Sequence, residues 1–120
     1  HATNKLNEVV KSKYIVVCIG TPITTQLNPS LKAFISFFYQ LKKLIKKNQI
    51  IIIRSSIYPG ICDQIYKIIK KNCKNLSYCP ERIVQGKSIK ELPNISQLVS
   101  GKNSKSINQS SLLFKKICNR

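Results

Sequence analysis

The sequence has few of the residues that build metal sites. Its single histidine is His1, and its five cysteines include no CxxC pair. Structural zinc sites use closely spaced cysteine and histidine ligands, so the sequence predicts no metal centre. An odd number of widely spaced cysteines favours reduced thiols in the core or at the surface. The five cysteines are Cys18, Cys62, Cys73, Cys79 and Cys118.

Long apolar runs are also missing. No stretch approaches the length that a membrane span requires. The amino terminus lacks the basic and then apolar order of a signal peptide. With 120 residues, of which 42% are hydrophobic, the chain is large enough for one domain with a real core. These features favour a cytoplasmic protein that has no membrane partner.

Acidic residues are rare. The sequence contains four acidic and 21 basic residues, which gives a formal net charge of +17. Such a balance is compatible with a basic module that binds polyanions without chemistry. However, the lysines are scattered in pairs near predicted helix ends, where they favour the helix dipole. Phe34, Phe37 and Phe38 lie on an apolar helix face and are not interleaved with basic residues. We therefore favour a solvated basic surface and no nucleic-acid partner, with the polyanion-binding module as an alternative.

Strand and helix patterns alternate along the chain. Continuous β-branched runs indicate buried strands, and apolar residues at helical spacing indicate amphipathic helices between them. Predicted strands cover Tyr14–Ile19, Gln49–Arg54, Leu76–Cys79 and Gln97–Ser100. Predicted helical segments are Leu6–Lys11, one starting at Asn28-Pro29, Ile61–Lys71, a turn at Ser88–Leu92, and Ser104–Cys118 with Ile107, Leu112 and Ile117 as its apolar residues. This order predicts an α/β fold with a parallel sheet and flanking helices.

The four glycines are isolated, and no GxGxxG loop is present. A dinucleotide-binding domain normally carries that loop in its first βα unit. We therefore expect a partial Rossmann-like domain whose first βαβ unit is missing.

Turn-forming and hydroxyl residues follow the first two predicted strands. Gly20 allows the backbone to approach a ligand closely, and the Thr21 hydroxyl before Pro22 is able to donate to a ribose or phosphate oxygen. Ser55 and Ser56 follow the second strand in the same way. A plain turn and a helix cap are the simpler interpretations of these two motifs.

Glu81 is the only acidic residue that directly follows a predicted buried strand. A carboxylate there is able to act as a general base or to position a water or hydroxyl. A local ion pair with Arg82 is the simpler alternative. Arg82 is alternatively able to hold a phosphate or carboxylate, and the segment through Gln85 is able to run alongside a ligand.

These motifs, in this order, resemble the nucleotide-sugar dehydrogenases of the UDP-glucose/GDP-mannose dehydrogenase family. The most specific parts are Tyr58-Pro59-Gly60 and the segment from Cys79 to Lys87. The similarity covers nearly the whole chain and is greatest to the group that oxidises UDP-N-acetylmannosamine. UDP-glucose dehydrogenase is an alternative, and hydroxyacid or phosphogluconate dehydrogenases are less similar because they lack the Pro-Glu-Arg segment.

The resemblance implies an enzyme that uses two NAD+ to oxidise the C6 hydroxymethyl of a UDP-sugar to a carboxylate, through a cysteine-bound thiohemiacetal, for surface polysaccharide precursors. It assigns NAD contacts to Gly20, Thr21, Pro22, Ser55, Ser56 and Gln85. It assigns catalysis to Glu81 and the UDP-sugar to Glu81, Arg82, Ile83 and Val84. Thr21, Ser56 and Glu81 should then surround one crevice.

Two residues depart from the pattern of this family. Ser56 replaces the usual threonine and keeps the hydroxyl, whereas Gln85 replaces the usual glutamate and removes a charge near the cofactor. The glycine loop would precede His1, and the nucleophilic cysteine, the catalytic lysine and the dimerising helix would follow Arg120. We therefore expect residues 1–120 to be the second half of the N-terminal NAD-binding domain of a longer, homodimeric enzyme, without turnover by themselves.

Overall fold

A computed structural model describes residues 2–20, 31–82, 86 and 93–118 of the chain. These residues form a sheet with helices on both faces. The strands are β1 (Tyr14–Val17), β2 (Ile50–Ile53), β3 (Leu76–Tyr78) and β4 (Ser100–Gly101); the helices are α1 (Lys32–Leu41), α2 (Ile61–Ile69) and α3 (Ser104–Phe114), with a 3₁₀-helix at Leu6–Lys11.

The strands are ordered β1-β2-β3-β4. β1 pairs with β2 in parallel, and β2 pairs with β3 in parallel, as predicted. β4 runs antiparallel to β3, with Tyr78 opposite Ser100. The predicted α/β class is therefore confirmed, although the short edge strand makes the sheet mixed rather than wholly parallel.

Gly101 allows α3 to follow β4 at once. A Cβ atom added at Gly101 would lie 2.5 Å from the Ser106 Oγ atom and 3.2 Å from the Leu76 carbonyl oxygen. Only a residue without a side chain fits this close approach of a helix and two strands. The strand predicted at Gln97–Ser100 is wrong for residues 97–99, because β4 is limited to Ser100–Gly101.

α1 and α2 cover one face of the sheet. Their apolar stripes bury Phe34, Phe38 and Leu41 of α1 and Ile61, Ile65 and Ile69 of α2. These side chains pack on the inward residues of the strands, which include Ile15, Val17, Ile51, Ile53 and Leu76. The predicted stripes of α1 and α2 are confirmed. All four residues of β2 are buried, as a run of isoleucines in a sheet covered on both faces requires.

α3 covers the second face, but not with the predicted side chains. Ile107, Leu112 and Ile117 are all exposed, so the predicted apolar face of this helix is wrong. The buried residues of α3 are Ser106, Ser110 and Phe114.

Small side chains on α3 bring it close to β3. The Ser77 hydroxyl donates to the Ser106 carbonyl oxygen at 3.0 Å, and the Ser110 hydroxyl donates to the Ser77 hydroxyl oxygen at 2.8 Å. A pattern search for apolar residues misses this face because buried serines that satisfy one another look polar in the sequence.

Two predicted helical features lie outside the described residues: the start at Asn28-Pro29 and the turn at Ser88–Leu92. The segment Leu6–Lys11 is helical as expected, with 3₁₀ geometry. Within the described ranges, no helix combines the length and apolarity needed to cross a membrane.

Candidate functional site

A cavity of about 350 Å³ opens where β1 and β2 end. It is lined by Cys18, Ile19, Gly20, Arg54, Ser55, Ser56 and Glu81. Parallel strands place their carboxyl ends at one edge of a sheet, which is where open α/β sheets bind ligands. Four predicted site residues, Gly20, Ser55, Ser56 and Glu81, therefore share one crevice.

Main-chain hydrogen bonds hold the two strand ends together. The Arg54 and Ser55 amides both donate to the Val17 carbonyl oxygen, at 2.9 and 3.3 Å. Ser55 is buried, and its hydroxyl donates back to the same carbonyl at 3.5 Å. Ser56, in contrast, is exposed at the cavity. Of the two predicted hydroxyls, Ser56 is thus the accessible one, and Ser55 fixes the turn.

Glu81 reaches the cavity from the segment after β3. Its amide donates to the Arg54 carbonyl oxygen at 3.1 Å, which continues the pairing of β3 with β2 beyond the strands. Its carboxylate accepts a hydrogen bond from the Arg54 guanidinium. The Glu81 side chain is 43% exposed, whereas that of Arg54 is 9% exposed. The carboxylate is therefore held by a buried cation, and the side chain is partly exposed at the cavity.

Arg82 is not the ion-pair partner that the sequence suggested. Its backbone amide donates to Glu81 Oε1 at 2.9 Å, but its guanidinium donates to the Ser96 carbonyl oxygen at 3.2 Å. The local pair with Glu81 is replaced by the longer-range pair with Arg54.

Sequence reasoning missed the roles of Arg54 and Gln97. Arg54 Nη1 donates to Gln97 Oε1 at 2.8 Å, and the guanidinium carbon lies 4.9 Å from the centre of the Phe114 ring. Gln97 Nε2 in turn donates to the Leu98 carbonyl oxygen at 2.8 Å. An arginine directly after four isoleucines was the available signal, because a buried guanidinium requires partners.

The predicted residues Thr21, Pro22, Ile83, Val84 and Gln85 lie outside the described part of the chain. Their proposed contacts stay predictions. Gly20 and Arg82 are the described residues next to them in the sequence.

Three thiols are held in their protonated form. Burial raises the pKa of Cys79 to about 11, against the smaller lowering effect of the nearby Arg54 charge. Burial also raises the pKa of Cys62 and Cys73. A nucleophilic thiol needs a lowered pKa. These three cysteines are therefore suited to packing, as expected, and only Cys18 is an exposed thiol at the cavity.

Comparison with known proteins identifies the family. Residues 1–118 match the model of the NAD binding domain of the UDP-glucose/GDP-mannose dehydrogenase family. The chain belongs to this family. The match confirms the expected resemblance and its cofactor, NAD.

The curated relatives of this chain include two archaeal UDP-N-acetyl-D-mannosamine dehydrogenases. The protein of Methanococcus aeolicus is 36% identical over 97 residues, which cover 76% of this chain and 22% of the relative. That of Methanocaldococcus jannaschii is 30% identical over 107 residues, covering 80% of this chain and 23% of the relative. The chain therefore spans about a quarter of the length of the curated relatives that it matches.

Solved structures support the same fold. The UDP-D-ManNAc dehydrogenase of Pyrococcus horikoshii superposes with a TM-score of 0.86 at 20% identity, over 97% of this chain and 29% of that one. A GDP-mannose dehydrogenase of Pseudomonas aeruginosa gives a TM-score of 0.82 at 15% identity, over 96% and 29%.

The described residues fit part of an NAD molecule. Among the described residues, no atom lies within 4 Å of a Cβ atom added at Gly20, so these residues leave space at the strand end. The cavity volume is at the lower end of the ~300–1,000 Å³ typical of small-molecule sites. Main-chain groups at Gly20 and the Ser56 hydroxyl are suited to ribose or phosphate oxygens, and Glu81 and Arg54 add one charge of each sign.

Proposed function

We propose that residues 1–120 are the second half of the N-terminal NAD-binding domain of a longer nucleotide-sugar 6-dehydrogenase. Its substrate would be UDP-N-acetyl-D-mannosamine, its product UDP-N-acetyl-D-mannosaminuronate, and its location the cytoplasm. The observation that carries the proposal is the convergence of Gly20, Ser56 and Glu81 on one cavity at the carboxyl ends of the strands.

The substrate assignment is supported by the relatives. The Methanococcus aeolicus and Methanocaldococcus jannaschii relatives, which are at least 30% identical to this chain, are named UDP-N-acetyl-D-mannosamine dehydrogenases. A 26% identical relative from Pseudomonas aeruginosa is named UDP-N-acetyl-D-glucosamine 6-dehydrogenase. The N-acetylmannosamine substrate is thus favoured, within a family that oxidises more than one sugar.

The proposed reaction converts a primary alcohol to a carboxylate. One alcohol and one water yield one carboxylate and three protons, while two hydrides leave the C6 carbon. NAD+, when bound, supplies the hydride acceptor for each of the two steps. The protein must position the sugar, the cofactor and the water relative to one another, and it must accept the protons that the reaction releases.

In this proposal Gly20 and Ser56 hold the cofactor at the strand ends. The lack of a side chain at Gly20 lets main-chain groups approach, and the exposed Ser56 hydroxyl offers a hydrogen bond. Ser55 contributes indirectly because its hydroxyl fixes the turn against Val17.

Glu81 is the proposed general base. It positions the water or the hydroxyl that loses a proton, and it transfers that proton away. Arg54 holds the carboxylate from the buried side, so its accessible part faces the cavity. Arg82 is proposed to line the UDP-sugar, together with Ile83 and Val84.

The decisive experiment uses the full-length enzyme with Glu81→Gln. The amide keeps an oxygen that accepts from Arg54 but removes the base. We expect turnover, measured as NADH formation, to fall about 100-fold or more, which is the lower range for loss of a general base. The dissociation constant of NAD+ should change less than about threefold. Equal losses in both quantities would reject the assigned role.

Glu8→Gln is the matched control. Glu8 is an acidic residue paired with Lys11, and it is not among the residues that line the cavity. Turnover and cofactor affinity should both stay at their wild-type values. The homodimer implied by the family resemblance stays a prediction, as does the contact of Gln85 with the cofactor.

A further inference from the structure

A second, strongly basic cavity lies at the other end of the sheet. Its volume is about 810 Å³. The residues around it precede β2, precede β3 or follow β4, so it faces the amino ends of the two central strands. Five lysines line it: Lys47, Lys70, Lys71, Lys74 and Lys105.

Asparagine side chains join the segments that carry these lysines. Asn75 Nδ2 donates to the carbonyl oxygens of Lys47 and Gln49, at 3.0 and 2.9 Å. Asn103 Nδ2 donates to the Lys74 carbonyl oxygen at 2.7 Å. Three separate chain segments are thereby held together at the cavity, and the lysine main chains are fixed before any ligand arrives.

Helix α3 adds its positive end to the same place. Asn103 caps this helix of 11 residues by accepting a hydrogen bond from the Ser106 amide at 2.8 Å. Ser104 and Lys105, in its first turn, line the cavity. A helix amino terminus carries about half a positive charge, which acts in the same direction as the five lysines.

No described acidic residue lines this cavity. Glu8, Asp63 and Glu81 form ion pairs with Lys11, Lys102 and Arg54 elsewhere in the described chain. The fourth acidic residue, Glu91, lies outside the described part. Five cations brought together without a described counter-charge repel one another, and a ligand of several negative charges would relieve that repulsion.

The shape and lining favour a small anion. The cavity has a volume typical of small-molecule sites. The described residues that line it are lysines, asparagines and a serine, with no aromatic ring among them on which a base could stack. We infer that this basic cavity binds a short chain of phosphate groups, either as inorganic polyphosphate or as the triphosphate of a nucleotide. This inference is independent of the proposed dehydrogenase function.

The test titrates the full-length enzyme with inorganic tripolyphosphate, using calorimetry for affinity and backbone amide NMR for location. We expect saturable binding that weakens with added salt. Shifts should be largest at Lys74, Ser104 and Lys105 and small at Gly20 and Ser56. Parallel titration with ATP distinguishes the sources. If ATP binds with an affinity similar to that of tripolyphosphate, the site accepts the triphosphate of a nucleotide. If ATP binds at least tenfold more weakly, the site is assigned to inorganic polyphosphate.

Two matched triple variants provide the control. Lys70→Gln, Lys74→Gln and Lys105→Gln together remove three charges from the cavity and should weaken binding about tenfold or more. Lys32→Gln, Lys43→Gln and Lys116→Gln remove three exposed charges elsewhere and should weaken it less than about threefold. All six lysines are exposed, so both variants should keep the wild-type fold.

Three results would overturn the inference. The first is an equal loss of affinity in both triple variants, which would indicate attraction to net charge alone. The second is the absence of saturable binding of tripolyphosphate and of ATP. The third is binding of long nucleic acid without binding of tripolyphosphate, which would assign the surface to another class of ligand.

Discussion

The Arg54 guanidinium donates to the Glu81 carboxylate across the ends of β2 and β3. One partner is buried and the other is half exposed. Arg54 also donates to Gln97 and packs over the Phe114 ring. The pair therefore joins the core between the sheet and α3 to the cavity at the strand ends.

Arg54→Gln should lower the free energy of unfolding by about 1–3 kcal/mol, because charged hydrogen bonds and packing against Phe114 are lost. Chemical denaturation of the 120-residue chain measures this loss. Arg82→Gln is the control, since Arg82 lies at the exposed surface, and it should change stability by less than about 0.5 kcal/mol. Equal effects in the two variants would show that Arg54 is not anchored as described.

Ser77 and Ser110 form a buried hydroxyl pair between β3 and α3. Ser77→Ala should cost about 1–2 kcal/mol because it removes the acceptor for the Ser110 hydroxyl and the donor to the buried Ser106 carbonyl oxygen. The double variant with Ser110→Ala should cost less than the sum of the single variants. Ser36→Ala, on the exposed side of α1, is the control. Strict additivity in the double-mutant cycle would contradict the pairing.

Replacement by alanine is predicted to change the stability of the fold at Gly101 but not at Gly20. Gly101→Ala should destabilise the fold by about 1–3 kcal/mol, because the added Cβ meets Ser106, Ile107 and the Leu76 carbonyl. The Cβ added by Gly20→Ala meets no described neighbour within 4 Å, so this variant should leave thermal stability nearly unchanged. A stable Gly101→Ala variant would rule out the close approach of α3.

The buried Cys79 thiol makes the free energy of unfolding depend on pH in the alkaline range. Its pKa is raised from 9.0 to about 11 in the folded chain. Between these values the unfolded chain loses the thiol proton first, so the free energy of unfolding falls as pH rises from about 9 to about 11. Cys79→Ala should make this fall shallower, whereas Ser36→Ala, which removes no thiol, should not. Identical slopes in both variants would contradict the assignment.

Much of the fold followed from sequence patterns because hydrophobic periodicity reports burial directly. The β2 isoleucines and the stripes of α1 and α2 are examples. Ser56 and Glu81 line one cavity, as the placement of strand ends predicted, whereas Thr21, the third residue of that prediction, lies outside the described residues. The inward face of α3 did not follow, because Ser106 and Ser110 are buried through mutual hydrogen bonds.

The partner of Glu81 was missed for a similar reason. The adjacent Arg82 suggested a local pair, whereas the tertiary fold brings Arg54 to the carboxylate from another strand. The close approach at Gly101 was likewise not predicted, since it is a contact between three elements. Contacts of this kind arise only after packing, and local patterns in the sequence do not encode them.

The most direct test of the central proposal is an amide NMR titration of the full-length enzyme with NAD+. The account predicts that amide shifts concentrate at the ends of β1 and β2, at Gly20 and Ser56, and extend to Glu81. Glu81→Gln should leave the positions of these shifts unchanged. Shifts confined to Lys74 and Lys105 at the opposite end of the sheet, with none at Gly20 or Ser56, would contradict it.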